Sequence, residues 1–211
     1  MEFSVIVTGV LEENCYIVYD KEENCVVIDP GDDGDTILDF IADNELTPLA
    51  ILLTHGHFDH IGAVVTLKEK YDLPVYIHPE DAAMLSDPEK KSSFDFGEND
   101  EFEADHYIAD GQILEFEGLK FQVLHTPGHT KGSCCFLAGD ALFTGDTLFK
   151  GNVGRCDLEG GSFPQLMHSL QTKIMPLPDE LTVHPGHGDF STIGREKSRN
   201  PYLRGDYEEF D

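Results

Sequence analysis

Four side chains that can ligate a metal fall within six residues: His55, His57, Asp59 and His60, in the run Thr54-His55-Gly56-His57-Phe58-Asp59-His60. A buried imidazole or carboxylate needs a partner, so a cluster this dense does not suit a protein core. With a turn at Gly56, His55 and His57 can face one point. Asp59 and His60 then stand at the start of a helix, aimed at an adjacent point. Imidazole mixed with carboxylate suits zinc, manganese or iron. The plain alternative is a solvated polar turn, and the strand–loop–helix setting of the run argues against it.

Further candidates sit at other strand ends. His125-Thr126-Pro127-Gly128-His129-Thr130 follows one apolar run, Gly145-Asp146-Thr147 a second and His184-Pro185-Gly186-His187-Gly188 a third. Each puts a His or Asp beside Gly, where the chain can turn tightly. One such site is a weak signal; four, all just after apolar strands, point to ligands converging on one edge of a sheet. Other groups carry plainer readings. His125 supports a ligand rather than being one, His78 and His184 pack before prolines, and His106 and His168 lie at the surface. Asp29 ends a strand near the expected edge, where it can brace a ligand from behind. Cys156, beside Arg155, has the setting for a lowered thiol pKa but reads as an inert small residue.

The elements that must position these groups follow from hydrophobic period. Phe3–Val7, Cys15–Tyr19 and Cys25–Ile28 read as strands, with polar turns such as Glu12-Glu13-Asn14 between them. Ile37, Leu38, Phe40 and Ile41 make a helical stripe. Leu49–Leu53 reads as a buried strand, Ile61–Tyr71 as a helix and Val75–Ile77 as a strand, and His78-Pro79-Glu80 opens a helix. Residues 88 to 112 read mostly as a long acidic surface loop. Strands return at Phe121–Leu124, Ser133–Leu137 and Ala141–Thr144. A helix from Pro164 turns Leu166, Met167, Leu170 and Ile174 inward, and Leu181–Val183 is the last expected strand. Strands in both halves with helices spread between them, and no linker, predict sheets packed together with helices outside, one layered α/β domain.

The 211 residues carry a net charge of −27. Such a field opposes nucleic-acid phosphates and anionic membranes, which are bound through clustered Lys and Arg. Five cysteines without CxxC spacing fit a reduced compartment better than a disulfide framework. The N-terminus lacks a basic leader, and no stretch approaches ~18 uninterrupted apolar residues. The expectation is a cytoplasmic protein with neither nucleic acid nor membrane as partner.

THGHFDH, HTPGHT, GDTLF and PGHG, in that order, resemble the metallo-β-lactamase superfamily from about Phe3 to about Gly188. The resemblance implies an α/β fold, the four-layer αββα sandwich, as a single domain over residues 1–211. It also implies two divalent metal ions, zinc as the expected metal and iron or manganese as alternatives. His55, His57 and His129 would hold one, Asp59, His60 and His187 the other, and Asp146 would bridge them. Many β-lactamases lack a second His at the position of His60, whereas thioesterases, lactonases and phosphodiesterases of the superfamily keep it. The run from Asp146 through Gly154-Arg155-Cys156-Asp157-Leu158 is similar to short glyoxalase II-like hydrolases. Longer relatives add a C-terminal helical domain whose basic residues grip glutathione; none is expected here, which leaves the thiol open. Arg155 stands where they place a substrate-binding Lys.

The resemblance thus implies a thioesterase acting on a small-molecule thioester such as S-lactoylglutathione. A metal-bridging hydroxide would attack the carbonyl, with Asp59 ligating and orienting it. A thiolate leaving group needs no dedicated acid. The alternatives are a persulfide dioxygenase with one iron on His55, His129 and Asp146, and a hydrolase of small esters or phosphodiesters. The oligomeric state is not legible.

Overall fold

The computed structural model describes residues 1–86 and 102–206. Two six-stranded sheets dominate it. The first contains β1 (Glu2–Thr8), β2 (Glu13–Tyr19), β3 (Asn24–Ile28), β4 (Thr47–Leu52), β5 (Val75–Ile77) and β6 (His106–Tyr107), in that spatial order. The second runs β14 (Ser191–Thr192), β13 (Thr182–Pro185), β10 (Ala141–Gly145), β9 (Cys134–Ala138), β8 (Leu119–His125), β7 (Ile113–Phe116). A small ribbon, β11 (Leu148–Phe149) with β12 (Asn152–Val153), forms a separate two-stranded sheet whose Leu148 and Val153 join the core behind the second sheet.

Strand alternation sorts the apolar side chains into three layers of core. Tyr16, Val18, Val26 and Ile28 point inward and meet Phe121, Val123, Phe136 and Phe143 of the second sheet. Their neighbours Cys15, Ile17, Cys25 and Val27 face the other way, onto Ile37 and Ile41 of α1 (Gly34–Asp43) and Val64 and Leu67 of α3 (Val64–Tyr71). Behind the second sheet, Cys135, Leu142 and Val183 pack on Leu166, Met167, Leu170 and Ile174. Phe121, Phe136 and Phe143 are fully buried, and each such side chain contributes about 1.5–3 kcal/mol relative to exposure. Helix, sheet, sheet, helix is the αββα sandwich expected.

Several expectations are corrected. Glu13 and Asn14 are not a polar turn: they begin β2 and are buried, and the reversal falls at Gly9–Glu12, where Glu12 N donates to Gly9 O. The helix over 61–71 is broken. α2 (Phe58–Ile61) ends at Gly62 and α3 begins at Val64, which lets Asp59 and His60 sit on their own short turn. His78 caps a 3₁₀ turn, Pro79–Met84, accepting from Glu80 N at Nδ1. The helix from Pro164 starts at Phe163 and passes into a π turn over Leu170–Ile174. Part of the expected acidic loop lies outside the described residues; the rest contains β6 and the buried Ile108.

Leu181–Val183 is not the last strand. β14 and two helices, Ile193–Arg199 and Pro201–Arg204, follow. Buried Glu196 ties them to the β11–β12 ribbon by accepting from Gly151 N and Asn200 Nδ2. Among the described residues no helix is long and apolar enough to cross a membrane.

Candidate metal centre

Four strands deliver the candidate ligands to one edge. β4 ends before Thr54–His60, β8 before His129, β10 before Asp146 and β13 before His187. Within the second sheet β10 pairs parallel with β13 and antiparallel with β9, which in turn pairs antiparallel with β8. β8, β10 and β13 therefore share a direction and deposit their following residues together. The register of β10 against β13 slips at Gly145, which has φ +46° and leaves no room for a Cβ against Thr54. Only glycine turns the chain there at little cost. At Gly186 a Cβ would stand 2.5 Å from Asp146 Oδ1 and 2.6 Å from His60 Cε1; the missing side chain is what admits those two groups.

All seven expected side chains come together in two adjoining nests. The ligand atoms of His55, His57 and His129 lie within 4.8 Å of one another, and so do those of Asp59, His60 and His187. Asp146 faces both, with Oδ2 3.5 Å from His129 Nε2 and Oδ1 3.4 Å from His60 Nε2 and 3.8 Å from His187 Nε2. Asp59 Oδ2 is 3.3 Å from His187 Nε2. The side chains of Asp146, Asp59 and His187 are 12%, 15% and 25% exposed against about none for His60, so water reaches the centre from the Asp59–His187 side.

The donor set fits divalent cations. His55 Nε2, His60 Nε2 and Asp146 Oδ1 are buried without a hydrogen-bond partner, although such atoms ordinarily find one. His57 Nδ1 and His129 Nε2 face each other at 2.8 Å, and two ring nitrogens at that distance share at most one proton. A cation between them satisfies both.

The opposite ring nitrogens are tied back, as metal-binding imidazoles require. His129 Nδ1 donates to Arg155 O at 2.7 Å and His187 Nδ1 to Leu11 O at 3.0 Å. Asp29 serves two rings. It accepts from His60 Nδ1 at 3.0 Å and from Thr54 Oγ1 at 2.5 Å, while Thr54 Oγ1 lies 3.0 Å from His55 Nδ1. Thr54 N donates to its other oxygen at 2.7 Å. Asp29 also lies close to His55 and His60, but its oxygens are taken by these donors, so it braces the rings rather than ligating.

Electrostatics keep His55, His57, Asp146 and Asp59 in ligating form, whereas His60 and His187 are drawn towards the charged ring and give up a proton when a cation binds. Burial, then the surrounding rings, holds His55 far below its ordinary pKa, and His57 falls to about 3 for the same reasons. Burial raises the Asp146 carboxyl, but His60 and the other rings outweigh it and hold it low. Asp59 is likewise raised by burial and brought below its usual value by its bond to His187. For His60, burial favours the neutral ring while Asp146 and Asp29 favour the charged one, and the carboxylates prevail.

Two residues with no motif to announce them belong to this centre. Buried Glu13 accepts from Thr8 Oγ1 at 2.8 Å and sets Oε1 3.8 Å from His60 Nδ1. Buried Asp81, on the 3₁₀ turn, accepts from the loops of His57 and His129. Their only signal was a carboxylate inside an otherwise apolar or capped element. Arg155 reaches the rim through its backbone, and its half-exposed guanidinium is forked onto Asp157 at 2.7 and 2.8 Å. Cys156 has no lowered pKa: burial pushes it up to about 11. His125 stacks on His78 at 3.9 Å and bonds Lys131 O, and His184 packs among Phe3, Tyr16, Phe143 and Phe190. His106 and His168 are exposed.

The profile of the Metallo-beta-lactamase superfamily matches residues 8–187. Hydroxyacylglutathione hydrolase GloC of Haemophilus influenzae is 36% identical over 96% of this chain and 98% of its own. Among solved structures, the BLEG-1 B3 metallo-beta-lactamase superposes with a TM-score of 0.91 at 40% identity, covering 96% of this chain and 99% of that one. TTHA1623 in a di-iron-bound form superposes at 0.83 with 40% identity, covering 95% and 100%. The chain belongs to the metallo-β-lactamase superfamily. It is a metallo-hydrolase of that superfamily, whose members bind divalent metals.

Proposed function

We propose that the chain, as one layered domain over residues 1–211, hydrolyses small acyl-thioesters of the S-lactoylglutathione kind. His55, His57 and His129 hold one divalent cation, Asp59, His60 and His187 a second, and Asp146 lies between. The observation that carries the reading is the full-length match to a relative named for hydroxyacylglutathione hydrolysis, 98% of which is covered. The match leaves almost none of that relative's length unaccounted for. Zinc is the expected metal. TTHA1623, similar throughout, was crystallised with two irons, which keeps iron as the alternative.

Cations in these nests supply Lewis acidity, lowering the pKa of water towards neutrality and polarising a carbonyl. The side chains do the rest. Asp59, held ionised by His187 and partly open to solvent, accepts from and orients a water at the mouth. Asp146 draws the two nests to one distance. The closed side, where His55 and His60 are buried, excludes bulk water and strengthens every charge interaction inside. The carboxylates behind the centre, Asp29 and Asp81, are occupied by donors and are not poised to protonate a leaving group. A thiol of pKa ~8–9 leaves as its anion without such help, whereas an alkoxide does not. Arg155 receives a substrate carboxylate by exchanging it for Asp157. The charge of −27 favours a small substrate over a polyanion.

A second reading is hydrolysis of a β-lactam, favoured by the superposition on BLEG-1. One experiment separates the two. Metal-replete protein is given S-lactoylglutathione, simpler acyl-thioesters, a cephalosporin and a phosphodiester. Released thiol is expected, and none from His57→Ala or Asp146→Ala. Turnover of the cephalosporin or phosphodiester without thiol release would end the thioesterase reading.

A further inference from the structure

Asp81 is 1% exposed and lies outside every motif of the metal centre. Its carboxylate joins the two loops that supply the first nest. Oδ2 accepts from Gly56 N at 3.3 Å, between His55 and His57, and from Thr130 Oγ1 at 2.6 Å, next to His129. Oδ1 accepts from Gly132 N at 2.7 Å. All three partners are donors, so the position calls for a group that only accepts. An asparagine would turn an N–H₂ onto a donor and leave one buried group unsatisfied.

The two loops touch elsewhere through Cys134 N and Thr54 O at 2.8 Å, which anchors the strand ends but not the turns beyond them. Those turns carry His57 Nδ1 and His129 Nε2, 2.8 Å apart. Ser133 braces Thr130 from within its own loop, at 3.0 Å to Thr130 N and 2.7 Å to Thr130 Oγ1, so the hydroxyl is fixed in the direction of Asp81. Methionine packing completes the clamp: a Cβ on Gly56 would stand 2.7 Å from Met84 Cβ, which pins this loop against the same 3₁₀ turn. The second nest has no contact with Asp81 among the bonds described. It is braced by Asp29 and Leu11 instead.

We infer that Asp81 is a positioning residue for the first nest alone, setting the spacing of His57 and His129 for the cation they share. It touches neither cation nor substrate. The inference rests on the metal-centre reading and adds to it an asymmetry between the two positions.

Chelator competition with zinc on the full chain tests it. Wild type should release two cations in two steps, one of which His57→Ala abolishes. Asp81→Asn should weaken that same step ~10–100-fold, the scale of loss when the partner behind a ligand is removed, and leave the other unchanged. Thr130→Val should shift the same step by less, and Thr130→Ser should restore it. The inference is overturned if Asp81→Asn and Thr130→Val bind both cations as wild type does. It is equally overturned if both steps weaken together while the melting temperature of the metal-free chain falls, since that is a structural role. Should Asp81→Asn not fold, Thr130→Val decides by the same criteria. A wild type that takes up no cation overturns the metal-centre reading, and this inference with it.

Discussion

At the scale of single residues, the centre depends on which ring nitrogen carries the proton. Asp29 accepts from His60 Nδ1 and from the Thr54 hydroxyl, and that hydroxyl in turn meets His55 Nδ1. With a cation in each nest displacing any front-side proton, this network keeps the proton of both rings at the back and turns a lone pair of each to the front, one in each nest. Replacing Thr54 by Val removes the hydroxyl and frees the His55 tautomer while keeping the backbone bond to Asp29. Affinity for the cation on His55 should drop ~10–100-fold, and Thr54→Ser should behave as wild type, both read by chelator competition. The seven ligand candidates were legible because each falls beside Gly or at a helix start just after an apolar strand. Glu13 and Asp81 were not, since each stands beside another acid, Glu12 and Glu80, and a carboxylate in such a pair looks the same in sequence whether it points to water or into the fold.

Elements were legible where period and burial agreed. β3 and β4 are apolar runs closed by polar turns, and both carry their site residues at the C-terminal end. The sequence could not reveal the chain reversal before Glu13, because charged residues at a strand start resemble a turn. In the fold Glu13 is bridged to His187, a contact 174 residues away that no local pattern encodes. The break between α2 and α3 was hidden for a related reason. Ile61, Val64 and Tyr71 keep helical spacing across Gly62, yet the first turn obeys the metal centre and the second the core. The tail after β13 was missed because its helices are short and mostly polar, and they are held by the buried side chain of Glu196 and by Ile193, too few apolar positions to show a period.

For the molecule as a whole, the charge of −27 acts on stability rather than on fold. Several surface cations are already committed to single carboxylates, as in Lys68–Asp105, Lys150–Asp189 and Lys173–Asp110. The remaining acids repel one another more in the compact state than in the unfolded chain. Raising ionic strength from 0.1 to 1 M shortens the screening length from about 10 to 3 Å. The melting temperature should therefore climb with sodium or potassium chloride over that range. A midpoint indifferent to salt, or falling with it, would show that the acids are compensated within the fold.

Two cations held by seven side chains that β4, β8, β10 and β13 bring to one edge is the claim on which the rest depends. Crystals grown with excess zinc, with diffraction recorded on both sides of the zinc absorption edge, test it most directly. Two anomalous peaks are expected, one among His55, His57 and His129 and one among Asp59, His60 and His187, with Asp146 between them. A single peak, or peaks placed away from these groups, would contradict it.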